Sequence, residues 1–272
     1  MSYISDFKSS AISLFQQGTS VSTGTGVVEP SLVSAIGQAF TLEDGREVRL
    51  VANGATALVS GVLVQGTPIT ANHQNLAVAV PASTPATAGT FAVSVTLGAT
   101  KLNTNQYQDG YLVVNAGTGI GQTLKIASHS NAAASAAGVI ITLEDAIMVT
   151  LDATSKVCLI TNPYKDVVIN PTTATATPVG VTMYPVAAAV APTFDGTSGK
   201  LTAAGTQQYA FVTTKGVTSA LSDISIAGIG LGIAPSTTTA GCVTVQAATL
   251  ANIGRALQAG VSAEARAVFV DL

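Results

Sequence analysis

Thr90-Phe91-Ala92-Val93-Ser94-Val95-Thr96-Leu97 is the stretch that decides the fold class. Phe91, Val93, Val95 and Leu97 recur at every second position with Thr90, Ser94 and Thr96 between them, so an extended chain puts the apolar side chains on one side and the hydroxyls on the other. A helix would scatter the same residues around its circumference. Outward from this stretch, similar runs occur at Val48 to Ala52, Ala57 to Val64, Leu76 to Val80, Tyr111 to Val114, Thr123 to Ala127, Val139 to Leu143, Tyr209 to Thr214, Cys242 to Val245 and Ala265 to Val270. Gly, Asn and Asp punctuate them. Asp44-Gly45, Asp109-Gly110 and Asp195-Gly196 suit tight turns, because glycine reaches positive φ without a steric cost. The pattern predicts an all-β chain, with a β-sandwich or barrel body of many short antiparallel strands.

Helical punctuation stands at the N-terminus. Ser5 can cap, Asp6 suits a first turn, Phe7, Ala11, Leu14 and Phe15 fall at helical spacing, and Gly18 can end the helix. Gly18 to Gly26 is small and polar with several glycines, as in a linker. Residues 1–26 are therefore expected to form a short N-terminal amphipathic helical arm and its linker. Phe7, Ile12, Leu14 and Phe15 are the candidate partner-docking residues, although the same spacing would serve a helix packed on its own domain. Pro81 to Gly89 and Pro171 to Pro178 lack charge and alternation and read as loops that divide the body. The expected divisions are a first β region at 27–98, a second at 99–170 and a C-terminal β region at 171–272. Asn131 to Gly138 reads as a long hairpin loop. Within Ala248 to Ala259, Leu250, Ile253 and Leu257 have helical spacing, but Gly254 and Gly260 fit a terminal hairpin equally.

Composition limits the function. Only 9% of residues are charged, against about a quarter in an average soluble domain. With 47% of residues apolar, a lone monomer would carry sticky patches, which points to buried contacts with other chains. The net charge is −3 and the eleven Lys and Arg are scattered, so the clustered cations of a nucleic-acid partner are missing. No apolar run of about 18 residues predicts a membrane span, and the opening residues, with Asp6 and several serines, do not read as a signal peptide.

The chemistry-bearing residues are sparse, and no catalytic, cofactor or metal residue is assigned; the chain is not expected to be an enzyme. Gly117-Thr118-Gly119-Ile120-Gly121 follows a strand, as a phosphate loop would, but Gln122 to Ala127 reads as another strand, so no helix N-terminus is available. A glycine-rich hairpin turn is expected. His73 and His129 are the only histidines, lie in polar surroundings, and are expected to be exposed loop residues. Glu43-Asp44 and Glu144-Asp145 are adjacent acids that would point to opposite faces of a strand. Cys158 and Cys242 sit in strand-like runs and are expected to be reduced core residues.

Gly45 to Gln65, Gln106 to Ser128, Thr142 to Val168, Pro178-Val179-Gly180-Val181, Gln208 to Gly216, Ile253 to Ala256 and Ala267 to Leu272 together resemble tailed-bacteriophage capsid decoration (head cement) proteins. The resemblance lies in turn glycines and strand hydrophobics over about half the chain. It implies a β protein, often a homotrimer, on the outer surface of the virion capsid, with sister subunits and the major capsid protein as partners and no catalytic residues. The family pattern commonly carries a tryptophan at the segment matching Gln208 to Phe211, and this chain has none. A head-fibre or tail-associated receptor- or glycan-binding module is the alternative; aromatics at 5% without Trp give it few sugar platforms.

Overall fold

The computed structural model describes residues 36–272 except 82, 85, 225, 227 and 262. The expected arm, with Phe7, Ile12, Leu14 and Phe15, lies outside the described residues. The chain passes back and forth between two compact units. It opens unit 1 with β1 (Ala39–Thr41), β2 (Glu47–Asn53) and β3 (Leu63–Gln65), then crosses to unit 2. There it forms β4 (Leu76–Ala79), β5 (Ala92–Thr96), β6 (Tyr111–Ala116), β7 (Thr123–His129), β8 (Val139–Leu143) and β9 (Lys156–Ile160). It returns to unit 1 for β10 (Val168–Ile169) and β11 (Pro178–Thr182), and visits unit 2 again for the hairpin of β12 (Thr193–Phe194) and β13 (Leu201–Ala203). It ends in unit 1 with β14 (Gln208–Leu221), β15 (Gly232–Pro235), β16 (Val243–Val245), β17 (Gly254–Ala256) and β18 (Ala265–Asp271). The described residues contain no α-helix; one 3-10 turn spans Ala71–His73.

Unit 2 is a closed antiparallel barrel in the order β4-β5-β8-β7-β6-β9, with β9 pairing back onto β4. Closure leaves no unpaired strand edge in the ring. Two-residue periodicity fills it. Val139, Ile141 and Leu143 of β8 are buried while Ile140 and Thr142 are exposed, and Leu112, Val114, Leu124, Ile126, Val157 and Leu159 supply the same inward set from β6, β7 and β9. Each such side chain contributes about 1.5–3 kcal/mol by leaving water. Leu102 and Tyr107, from the connection between β5 and β6, join this core.

Unit 1 is built on a ten-stranded sheet with the path β10-β3-β11-β14-β18-β17-β15-β16, and β1 and β2 attach through β14. The fourteen residues of β14 make this possible. Gln208 to Lys215 pair with β2, and Lys215 to Leu221 pair with β18. The register shift between Thr213 and Lys215 separates the two halves; an extra residue on one strand re-aims the chain and increases its twist. Val51, Val64, Val179 and Val212 pack in one cluster, and Leu63, Ile233, Val243, Val268 and Val270 in another.

The all-β expectation stands, with local corrections. Ala57 to Val64 is not one strand: Leu58 makes an isolated bridge to Val186, and Gly61 turns at φ +76 before β3 starts. Phe91 is 52% exposed, since it precedes β5 and does not share the inward face of Val93 and Val95. Ser94, assigned to the hydroxyl face, is buried, flanked on that face by its cross-strand neighbours Ala79 and Ile140. Of the two readings of Ala248 to Ala259 the terminal hairpin holds: its strand β17 pairs antiparallel with β18, and Gly254 sits at φ +151. The divisions expected at 98/99 and 170/171 fall within unit 2 and unit 1 respectively.

Candidate functional site

The two histidines are not exposed loop residues: His73 and His129 are 0% and 4% exposed, and both face Tyr107. The 3-10 turn delivers His73, the β5–β6 connection delivers Tyr107, and the last residue of β7 delivers His129. His73 Nδ1 lies 2.7 Å from the Tyr107 hydroxyl and Nε2 lies 3.1 Å from the Thr100 carbonyl. The Tyr107 backbone N–H donates to His129 Nε2 at 2.9 Å, and His129 Nδ1 lies 3.0 Å from the Ser130 carbonyl. Burial lowers the His73 pKa, against a smaller opposing pull from the Thr100 carbonyl. Burial likewise raises that of Tyr107, partly countered by a hydrogen bond from Thr70. Sequence reasoning missed this cluster because a bulge between Ile126 and Ser128 changes which residues face inward, so alternation read only as far as Ala127 stops short of His129.

The adjacent acids sit in turns and bends rather than strands, and the carboxylates of Asp44, Glu144 and Asp145 are taken up locally. Asp44 accepts from the Arg46 backbone N–H and Nε, which holds its carboxyl below the usual range. Glu144 pairs with Lys125 at 2.8 Å, and Asp145 accepts the Lys125 backbone N–H at 2.9 Å. The glycine-rich segment 117–121 is the expected turn between β6 and β7. Its Thr118 hydroxyl donates to Asp152 at 2.6 Å; with the Thr154 hydroxyl and N–H this pulls the Asp152 pKa down to about 2. Among the described residues no group of three His, Cys, Asp or Glu is placed to hold a metal ion. Cys158 and Cys242 are free thiols; Cys242 is buried, whereas Cys158 is half-buried and its Sγ accepts the Asn75 N–H at 3.3 Å.

What the structure does bring together is exposed apolar side chains on ordered supports. In unit 2, Ile120, Met148 and Val149 are 67%, 81% and 51% exposed. Their two loops are joined by one side chain. Gln122 Oε1 accepts the Met148 and Val149 N–H groups, both at 2.9 Å, while Nε2 donates to the Gly119 carbonyl at 3.1 Å and the Val149 carbonyl at 2.9 Å. Four hydrogen bonds to backbone groups use the full capacity of an amide of this kind and fix both loops. In unit 1, Val217 and Phe269 are directly paired across β14 and β18 and remain partly exposed. They floor an open depression of about 350 Å³, rimmed by Asp44, Arg46 and Lys215.

These surfaces can bury apolar area against another chain. No protein-family model, curated protein or solved structure matches the chain.

Proposed function

We propose that the chain is a virion structural protein that decorates and stabilises a capsid by bridging major capsid subunits, as a homotrimer on the outer surface. The observation that carries this reading is the combination of a charge-poor β scaffold with exposed apolar residues on rigid loops, best represented by Met148 above the Gln122 clamp. Contact sites draw their strength from a few apolar anchors held in place before binding. The closed barrel supplies rigidity, and the scarcity of ions lowers the desolvation cost of broad contact. The arm residues Phe7, Ile12, Leu14 and Phe15 extend the reading as anchors on a sister subunit or on the capsid.

Electron microscopy of particles with and without the chain tests the proposal. Density at three-fold or quasi-three-fold junctions between capsid subunits is expected. Density confined to the tail would transfer the assignment to the alternative, a head-fibre or tail-associated receptor- or glycan-binding module. Met148→Glu is expected to reduce capsid occupancy at least tenfold without lowering the melting temperature, since its side chain lies on the surface. Unchanged occupancy would remove this loop from the interface.

A further inference from the structure

The only two histidines of the chain meet at one buried tyrosine, and their partners fix them in opposite neutral tautomers. A carbonyl oxygen can only accept, so His73 Nε2 carries its proton toward Thr100 and leaves Nδ1 to accept from the Tyr107 hydroxyl. A backbone N–H can only donate, so His129 Nε2 is bare toward Tyr107 and the proton sits on Nδ1, given to the Ser130 carbonyl.

Adding a second proton has unequal consequences. At His73 it arrives on Nδ1, opposite a hydroxyl that can rotate and offer a lone pair. At His129 it arrives on Nε2, head-on to a backbone N–H that cannot turn away. Charging His129 therefore sets two donors against each other in a site that is 4% exposed, an arrangement that is strongly unfavourable unless the contact opens. Among the described residues, the charges on the neighbouring elements are engaged elsewhere or lie on other strands. On the segment carrying Tyr107, Lys101 donates to the Asp195 carbonyl at 2.7 Å, and Asp109 adds to the field at Lys125. Lys125 on β7 pairs with Glu144. Neither the 3-10 turn nor β8 carries an acid, and Tyr111 on β6 with Lys156 and Cys158 on β9 complete the titratable groups of the neighbouring strands.

We propose that His73, Tyr107 and His129 form an acid-sensitive latch that holds the segment 100–110 against β7, and that protonation of His129 releases it. Besides the reciprocal Leu102–Ala132 backbone bonds at 2.9 Å, the bonds of Lys101 and Thr104 to the 195–199 turn and the burial of Leu102, which hold the far end of the segment, it is tied to β7 by bonds such as Asp109 N–H to the Ile126 carbonyl at 3.0 Å and the Asn105 side chain accepting the His129 N–H at 3.0 Å. These two ties to β7 lie beside the latch and would loosen with it. The proposal is independent of the capsid reading. His73 acts in the same direction: its pKa is lowered on folding, so the stability present above the unfolded value near 6.5 is lost as pH falls below it. A closed state that excludes one charged imidazole opens about thirtyfold more often at pH 5.0 than well above pH 6.5, and one that excludes two, about a thousandfold.

Nitrogen-15 NMR of the histidine rings in the full chain tests this directly. At pH 7.5 one ring is expected as the Nε2–H tautomer and the other as Nδ1–H, with the Tyr107 amide strongly protected from exchange. Lowering the pH to 5.0 should cut that protection, corrected for intrinsic exchange, by thirtyfold or more. His129→Gln, whose carbonyl can accept the Tyr107 N–H and does not titrate, should remove the His129 share and leave no more than the roughly thirtyfold change that His73 alone supplies. Two Nε2–H rings at pH 7.5, or a Tyr107 amide whose corrected protection is the same at both pH values, would overturn the latch.

Discussion

Gln122→Ala isolates the clamp beneath the Ile120, Met148 and Val149 surface. The substitution deletes four hydrogen bonds, two received from Met148 and Val149 and two given to Gly119 and Val149. At a net value of about 0.5–1.5 kcal/mol each the simple total would be near 4 kcal/mol, but the bonds share one side chain and the loops are open to water, so the freed backbone groups rehydrate. About 2 kcal/mol is the expected loss, equivalent to a fall of roughly 8–16 °C in the unit 2 transition if that unit melts as a domain of about 100 residues. Calorimetry gives the shift, and hydrogen exchange locates it: protection should disappear first at the Met148 and Val149 amides. Gln122→Glu, which keeps the acceptor and loses the donor, should recover part of the loss. A Gln122→Ala protein that melts within a degree of wild type and still protects both amides would refute the claim that this side chain orders the surface.

Three further substitutions probe other contacts. Gly254→Ala should destabilise unit 1 by about 3 kcal/mol or more, measured by urea unfolding, because the backbone there is at φ +151 and a Cβ would meet the Phe269 carbonyl oxygen and lie 2.9 Å from Val270 Cα. An unchanged midpoint would remove the backbone argument. Asp152→Asn should lower the melting temperature at neutral pH and by much less near pH 2. The Asp152 pKa is depressed on folding, so its contribution is present above the unfolded value of 3.8 and is lost as pH falls from there through about 2; a difference undiminished at pH 2 would contradict this. Arg266→Met should stabilise unit 1 by about 1–4 kcal/mol, since Arg266 is 1% exposed and none of its guanidinium nitrogens has an acceptor among the described residues. Destabilisation would mean that the guanidinium has a partner in the folded protein.

The amino-acid sequence by itself determined the class of structure. Period-two alternation in segments such as Val139 to Leu143 requires only that one side of a strand be dry, and an interior of that kind is what β8 found. Local turn chemistry was equally legible: Asp44-Gly45 joins β1 to β2, and the 117–121 glycines join β6 to β7. Tertiary structure alone decided which strands became neighbours, because pairing depends on contacts far apart in the chain. The closure of β9 onto β4 and the sharing of β14 between β2 and β18 leave no local trace. It also decided the fate of the polar residues. His73 and His129 sit among small polar neighbours and look solvated when read locally, yet Tyr107, 34 positions from one and 22 from the other, supplies partners that make their burial affordable. A hydrogen bond between distant residues depends on where the whole chain places them, and alternation along one strand carries no record of that.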